Sequence, residues 1–496
     1  MLTEAGTPGT DDWYLLTLAT EMGANYPRLG KLRKYREGDA PVPDGADPSM
    51  RAAYKQFVSM ARLNMCELIV NSKTARMKVV GFRTAAADDA YGDSEAYATW
   101  KRSHMPVLSR SLFGDLAHYG QSFITVFGTQ IPGSDGTVDE PYMTGSDGWT
   151  TWTKQDPNKP WESEAAIHVG YDSFNGVDTI ILYRPGYFRI AQKLTPKSTI
   201  PTDGSLWKPN ADWTWTGGPI SLGYTQKVPV VRLQTLDGRG VYEGHLDSID
   251  RINDGIKQRC TIIAMQAFRQ RALKGDLPTE YPEGHDRAGD PIDYNDIFKA
   301  GPAALWLLPS SAEVWESTPT DIGPVLNSTK DDTKNLAAVT ATPLYVLSPD
   351  SAGGSAEGAS LARETHVFSV EELIDVVSDG LAQALGITFE AARDSVRADP
   401  ALIDVIWASV DRASMAEWAS ASSQAKAGGM PQKFIDEKIF GFTPAEIAEA
   451  AQLREDESFS AGTQPETDDP APGAVIDPAT LPPTDTDTTV PEPVAA

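Results

Sequence analysis

The sequence predicts an α+β protein, and three features lead to that class. Residues 241–274 repeat apolar side chains at helical spacing without a proline, and residues 318–385 read as two further helices around a loop rich in Pro, Gly and Ser. Residues 121–240 instead alternate strand-like runs with turn signals.

Taken in order, residues 1–45 form an N-terminal arm. A helix from Trp13 to Met22 is followed by the basic run RLGKLRKYREG and by the Pro-rich connector APVPDGADP. The basic run reads either as a solvated face or as a contact with an acidic neighbour. Residues 46–240 are a mixed region. Its helices run from Met50 to Lys78, around Tyr97 and Trp100, and from Val107 to Tyr119, with VVGFR as a strand after the first. Gly120 should end the last helix, because glycine takes the left-handed conformation at a helix C-terminus, and QSFITVFG has the β-branching of a strand. The runs AAIHVGY, VDTIILYR, YFRIAQ and KVPVVRLQ, separated by turns such as FNG, predict antiparallel hairpins. Trp149, Trp152, Trp213 and Trp215 fall among these strands as core or cross-strand partners.

Residues 241–274 predict one helix of about 50 Å, with Ile249, Ile252, Ile256, Cys260 and Ile263 on one stripe. Residues 275–317 leave that helix and return, with short strands at best, and carry apolar runs (DYNDIF, ALWLL) that favour an interface. Residues 318–340 are a second helix, 341–358 a glycine-rich loop and 359–399 a long helix. A helical stretch is predicted over 400–427, and a short helix begins at Pro444 with Thr443 as its cap, the two making up 400–455. Residues 456–496, dominated by Pro, Thr and Asp, cannot bury enough apolar surface to order themselves and read as a disordered acidic tail.

The composition bounds the function. With 41% hydrophobic and 23% charged residues the chain falls among soluble globular proteins, no apolar run is long enough to span a bilayer, and the N-terminus lacks signal-peptide character. Cytoplasmic synthesis is therefore expected. The formal net charge is −26. Such a protein forgoes the counterion release that fastens basic proteins to duplex DNA, so any contact with DNA should be loose. Cys66 and Cys260, the two cysteines, have no Cys or His at metal-ligand spacing and read as two buried thiols.

Motifs for chemistry fail on inspection. Gly353, Gly358 and Ser360 satisfy part of a phosphate-binding loop, but Ala359 stands where its lysine belongs and a helix, not a strand, feeds it. Ser355 follows Gly353 as in a nucleophile elbow, but Glu357 takes the second glycine position. The histidines 104, 118, 168, 245, 285 and 366 are scattered. No catalytic residue, metal site or cofactor is assigned, and no enzyme is expected.

The segments LRKYREGDAPVP, RLNMCELIVNSKTARMKVVGFR, WKRSHMPVLSRSLFGDLAHYGQSFITVFG and GHLDSIDRINDGIKQRCTIIAMQAFRQRALKG, followed by the helix, TP break, Gly/Ser loop and helix of 318–385, resemble the portal proteins of tailed double-stranded DNA bacteriophages. The branch is that with long subunits, common among phages of actinobacteria. The resemblance runs from about Tyr26 to Glu455, and Asp250 and Asn253 match its helix pattern. It implies a portal fold. Residues 46–240 would be the wing, 241–274 and 318–340 the stem, 275–317 the clip, 341–358 the tunnel loop, 359–399 a long wing helix and 400–455 the crown. It also implies a ring of usually twelve copies at a capsid vertex in the virion. Double-stranded DNA would pass through it non-specifically, and the terminase large subunit, major capsid protein, scaffold and head–tail adaptor would be its partners, with no membrane. Tyr345, Ser348, Asp350, Ser351 and Ser355 would face the channel. Tyr294, Phe298 and Trp306 would meet partners at the clip, and Ile249, Ile252, Ile256 and Ile263 would lie between neighbouring stems. The rival readings are a small-substrate enzyme in the Trp-rich β region and another phage head or tail subunit.

Overall fold

The computed structural model describes residues 2–4, 6–40, 59–86, 92–128, 140–267, 271–274, 278–293, 313–316, 318, 320–348, 356–411 and 415–462. Residues 1–444 form one compact unit and 445–496 a second.

The first helix, α1 (Asp11–Arg36), is longer than its sequence suggested and takes in the basic run. Thr10 accepts from the Trp13 N–H as its cap, Asp11 and Asp12 lie in the first turn, and Arg33, Lys34 and Arg36 in the last, which matches the helix dipole. Pro27 sits inside it. Proline has no N–H to give the carbonyl four residues back, and the Gly23 carbonyl instead accepts from the Trp207 N–H at 3.4 Å. Helix α1 is no peripheral arm. Tyr14, Leu15, Leu18, Met22, Tyr26, Leu29 and Leu32 are buried in the core.

Next come α2 (Met65–Thr74), β1 (Val79–Arg83), α3 (Ser94–Arg102) and α4 (Met105–Tyr119). Gly120 ends α4 at φ +78°, as expected, and a Cβ there would lie 2.5 Å from the Gly238 carbonyl oxygen. Strands β2 (Gln121–Phe127) and β3 (Tyr142–Ser146) follow, then β4 (Thr151–Gln155), β5 (Ser163–Asp172), β6 (Val177–Arg184), β7 (Tyr187–Leu194), β8 (Thr214–Trp215), β9 (Ile220–Ser221) and β10 (Val230–Gln234). The hairpins are antiparallel as predicted. Strands β4 to β8 pair in sequence, with β9 also on β7, and β2 is the centre of a three-stranded sheet between β10 and β3.

Side chains alternate across a strand, so β5 divides its residues between two cores. Ala165, Ile167 and Val169 join the α1 residues, while Ala166 packs with Tyr183, Phe188 and Val230 on the other face. The Trp residues belong to the first of these layers: Trp213 is buried in it, and Trp149, Trp152 and Trp215 pack against it.

Helix α5 (Leu246–Ala267), entered through the 3-10 turn Glu243–His245, is shorter than expected, about 33 Å. Arg271–Lys274, predicted as its last turn, is strand β11, which pairs with β12 (Glu313–Glu316). Then come α6 (Gly323–Val339), the single turn α7 (Leu344–Leu347) and the long α8 (Ala356–Ala391). Three contacts set the direction of α5 against α6: Arg251 to Asp332 at 2.9 Å, Gly255 against Thr329, and Gln266 to the Thr320 carbonyl at 2.7 Å. Numbers rise on one helix as they fall on the other, so the pair is antiparallel.

The helix predicted across 400–427 is not continuous. Pro400–Leu402 is a 3-10 turn and Asp404–Trp407 is strand β13, paired antiparallel with β1, before α9 (Met415–Ala427) begins. The open edge of β1, bulged between Val79 and Gly81, supplies hydrogen bonds that a local helix would have made internally. Helix α8 seals the layer: Val370, Leu373, Val377, Leu381 and Leu385 are buried with Phe113, Ile124, Val231 and Leu233. The last described helix, α10 (Pro444–Gly462), starts at the proline the sequence placed there.

Candidate functional site

The sequence directs attention to α5, α6 and the turn after α6. Helix α5 is rooted in the chain's own core. Ile249 is 2% exposed and Ile252 1%, packed with Tyr35 and Leu336, whereas Ile263, three turns on, is 50% exposed. Ile249 and Ile252 pack within this chain. Ile256 packs at the edge of that core, and Ile263 remains a surface position. Cys66 is buried, its thiol pushed up to about 12 chiefly by burial, but Cys260 is only half-buried; both are free thiols.

The basic run meets acids within the chain. The Arg28 guanidinium donates to Glu243 at 2.7 and 2.5 Å and to the carbonyls of Tyr119 and Gly238. Arg36 donates to Asp115 at 2.6 Å, and the Tyr35 hydroxyl to Asp250 at 2.7 Å. Asn253 accepts from the Leu63 N–H at 3.1 Å. Asp250 and Asn253 thus fasten the root of α5 to α1 and to the approach to α2.

Beyond α6 the chain reverses tightly. The Ala341 N–H donates to the Ala338 carbonyl and the Thr342 N–H to the Ala337 carbonyl, and Ala341 takes φ +49°, the left-handed conformation that closes a helix. Thr340 Oγ1 caps from the side, bonding the Leu336 carbonyl at 2.7 Å. In α7, Leu347 points into the core and Tyr345 is 58% exposed. Ser348 is extended and partly exposed. Asp350, Ser351 and Ser355 lie outside the described residues, as do Tyr294, Phe298 and Trp306 of the expected clip. Described in that region are residues 278–293 and the β11–β12 ribbon, with Trp315 exposed on it.

Two side chains that the sequence reading passed over converge on this turn. Lys73, on the buried face of α2, is 2% exposed, and its Nζ donates to Ser369 Oγ at 2.5 Å and lies 3.5 Å from the Ala341 carbonyl. Burial pushes its pKa down to about 8, with Glu372 opposing. His366 bridges the carbonyls of Ala341 and Ser72. A polar cleft of ≈ 560 Å3 opens beside them, lined among others by Lys73, Arg239, His245, Thr340 and Glu372. The signal was in the spacing: Lys73 is four residues after Ile69 and His366 four before Val370, so each polar side chain falls on a buried stripe.

The Trp-rich region holds a second cavity of ≈ 560 Å3, with Trp149, Tyr119, Tyr171 and Ile200 in its walls. Its cations are engaged, Arg36 by Asp115 and Arg33 by Glu37. Among the described residues no three His, Cys, Asp or Glu side chains converge as metal ligands, and no helix is long and apolar enough to cross a membrane.

Among solved structures the chain is similar to a chain in the virion of a native gene transfer agent particle, with 11% identity over 84% of this chain and 99% of that one, at a TM-score of 0.42. It is similar to a chain in the neck of the empty particle computed with C6 symmetry, with 10% identity over 83% and 92%, TM-score 0.42. A chain in the neck of the native particle computed with C12 symmetry gives 12% identity over 82% and 98%, TM-score 0.39. No family model and no curated protein matches the chain.

Proposed function

We propose that the chain is a portal-type subunit of a tailed-phage-like particle, forming a closed ring at one capsid vertex through which double-stranded DNA is packaged and ejected. The reading is carried by the antiparallel α5–α6 pair, rooted in the core at Ile249, Ile252 and Leu336 and exposing apolar surface at Ile263. An element built this way has its inner end fixed and its outer end unsatisfied, and a heterologous contact repeated by rotation closes into a ring that hides the exposed stripe at every interface. The order of segments in the sequence supports the same reading. Tyr345 and Ser348, at the close of the turn, are then on the path of the DNA, touching it without reading its sequence. The net charge of −26 suits passage over adhesion. The terminase large subunit and later the head–tail adaptor would dock at the clip, the capsid protein and scaffold around the wing, and assembly would take place in the host cytoplasm.

Native mass measurement tests the ring. A dodecamer of 53.6 kDa chains weighs about 640 kDa; a stable monomer at micromolar concentration would sink the proposal. Deleting Asp350 to Ser355 leaves α8, which starts at Ala356, whole. The expected outcome is an intact ring with impaired DNA packaging, and loss of the ring would mean that the segment is a structural strut.

A further inference from the structure

The ammonium of Lys73 is buried without a counter-ion. The residue is 2% exposed, and its Nζ donates to Ser369 Oγ at 2.5 Å and lies 3.5 Å from the Ala341 carbonyl oxygen. Both acceptors are neutral, and Ser369 gives its own proton to the His366 carbonyl at 2.7 Å. An ammonium has three N–H groups, and a contact of 3.5 Å is a weak bond, so these partners satisfy one of the three well. Among the described residues no carboxylate comes within ion-pair distance of Nζ. A buried cation is costly until an anion pairs with it.

Lys73 stands in the wall of the ≈ 560 Å3 cleft between α2, α8, the α6–α7 turn and the residues that lead into α5. A second cation, Arg239, lines the same cleft with an exposed guanidinium that has no partner among the described residues. Gly244 and His245, which immediately precede α5, put the positive end of that helix on the cleft as well. Two carboxylates also line it. Asp237 is turned to its own loop, where it accepts from the Arg239 N–H at 3.0 Å, and Glu372 is exposed on α8, acting on Lys73 through space without an ion pair.

We propose that this cleft is a binding site for a small phosphate-type oxyanion, held by Lys73 at its base and by Arg239 at its mouth. A tetrahedral oxyanion has acceptor oxygens pointing in several directions, so one can take the free N–H groups of Lys73 while others face Arg239 and solvent. The ion supplies the missing charge and ties α2 to α8 and the turn. Depth sets the size of the ligand: a duplex is too broad to bring its phosphates to an ammonium only 2% exposed, so the ligand is a free ion and not DNA. The site does not depend on a ring or a channel, so its failure and that of the portal reading are separate results.

The test is equilibrium dialysis of the full chain against radiolabelled inorganic phosphate at pH 7, with chloride holding the ionic strength constant. Wild type should bind one phosphate per chain saturably, sulfate should displace it, and a short DNA duplex should not. Lys73→Met keeps the length of the side chain and removes its charge. It should weaken binding about tenfold, the worth of a charge-assisted hydrogen bond. The proposal is overturned by the absence of saturable binding, by equal affinity in Lys73→Met, which would mean an adventitious ion only, or by displacement with the duplex. If Lys73→Met does not fold, seen as lost amide-exchange protection in β5 to β7, Arg239→Gln replaces it. That side chain is exposed, and its loss should weaken binding about threefold; unchanged binding overturns the proposal.

Discussion

Asp93 has a side chain with no exposed surface and four partners. One oxygen accepts from the backbone N–H groups of Glu95 and Ala96, capping α3, and the other accepts from Arg397 at 2.6 Å and from the Thr84 hydroxyl. Burial pushes its carboxyl up, but the hydrogen bonds and Arg397 more than offset that and hold it below the usual carboxylate range. Asp93→Ala should cost about 2–4 kcal/mol, combining a lost cap with a broken, largely buried ion pair. Because the folded pKa is depressed, this stabilisation is complete above about pH 4 and disappears as pH falls below it. Urea denaturation midpoints across pH should show the variant with a shallower acid limb, and a parallel limb would mean that other carboxylates set it. His118 adds a second slope. Burial first, and Arg36 second, push it down to about 3. It is therefore neutral at ordinary pH, and its 3.3 Å contact with Glu67 is a hydrogen bond from Nε2–H, not an ion pair. Nδ1 is then left to accept from the Tyr242 hydroxyl at 2.9 Å. The Asp93–Arg397 ion pair was not legible in the sequence, since the two lie in distant segments and only folding brings them together.

Helix α1 shows how an element's extent depends on what it packs against. The sequence predicts it from Trp13 to Met22, and in the fold it continues through Gly23, Pro27 and Gly30 to Arg36. In the fold those glycines are contact points: a Cβ on Gly23 would lie 2.3 Å from the Trp207 carbonyl oxygen, and one on Gly30 2.6 Å from the Gly204 Cα. Both obstacles are backbone, which cannot step aside as a side-chain tip can. Gly30→Ala should destabilise the chain by about 1–3 kcal/mol through this overlap, although alanine is the better helix former. A thermal or chemical denaturation curve decides it, and a stabilised variant would show that residues 203–207 move freely. The strands were easier to read. VDTIILYR matches β6 from end to end, because alternation and the FNG turn are both local signals. Strand β13 was missed because DVIW is a strand only beside β1, far away in sequence.

At the scale of the molecule, the two ends of the apolar stripe on α5 give opposite predictions. Ile252 is spent in the chain's core, so Ile252→Asp should cost about 3 kcal/mol or more and compromise folding itself. Ile263 is half-exposed, so Ile263→Asp should leave the monomer's denaturation curve within about 0.5 kcal/mol of wild type. If rings form through α5, native mass measurement should show the Ile263 variant shifted to smaller species at equal concentration, and an unchanged mass would remove that stripe from the interface. The sequence read as one continuous apolar stripe because periodicity records which face is apolar, not what covers it.

The sequence by itself determined the α+β class, the antiparallel strands, the stop at Gly120 and the start of α10 at Pro444, because each rests on signals a few residues long. Tertiary structure decided the length of α1, the end of α5 at Ala267, the pairing of β1 with β13, the division of the α5 stripe between core and surface, and the burial of Lys73 and His366 under the α6–α7 turn. These depend on which distant surfaces meet. Whether a glycine is a weakness or a contact, or a polar side chain is solvated or a clasp, is settled by the partner it meets.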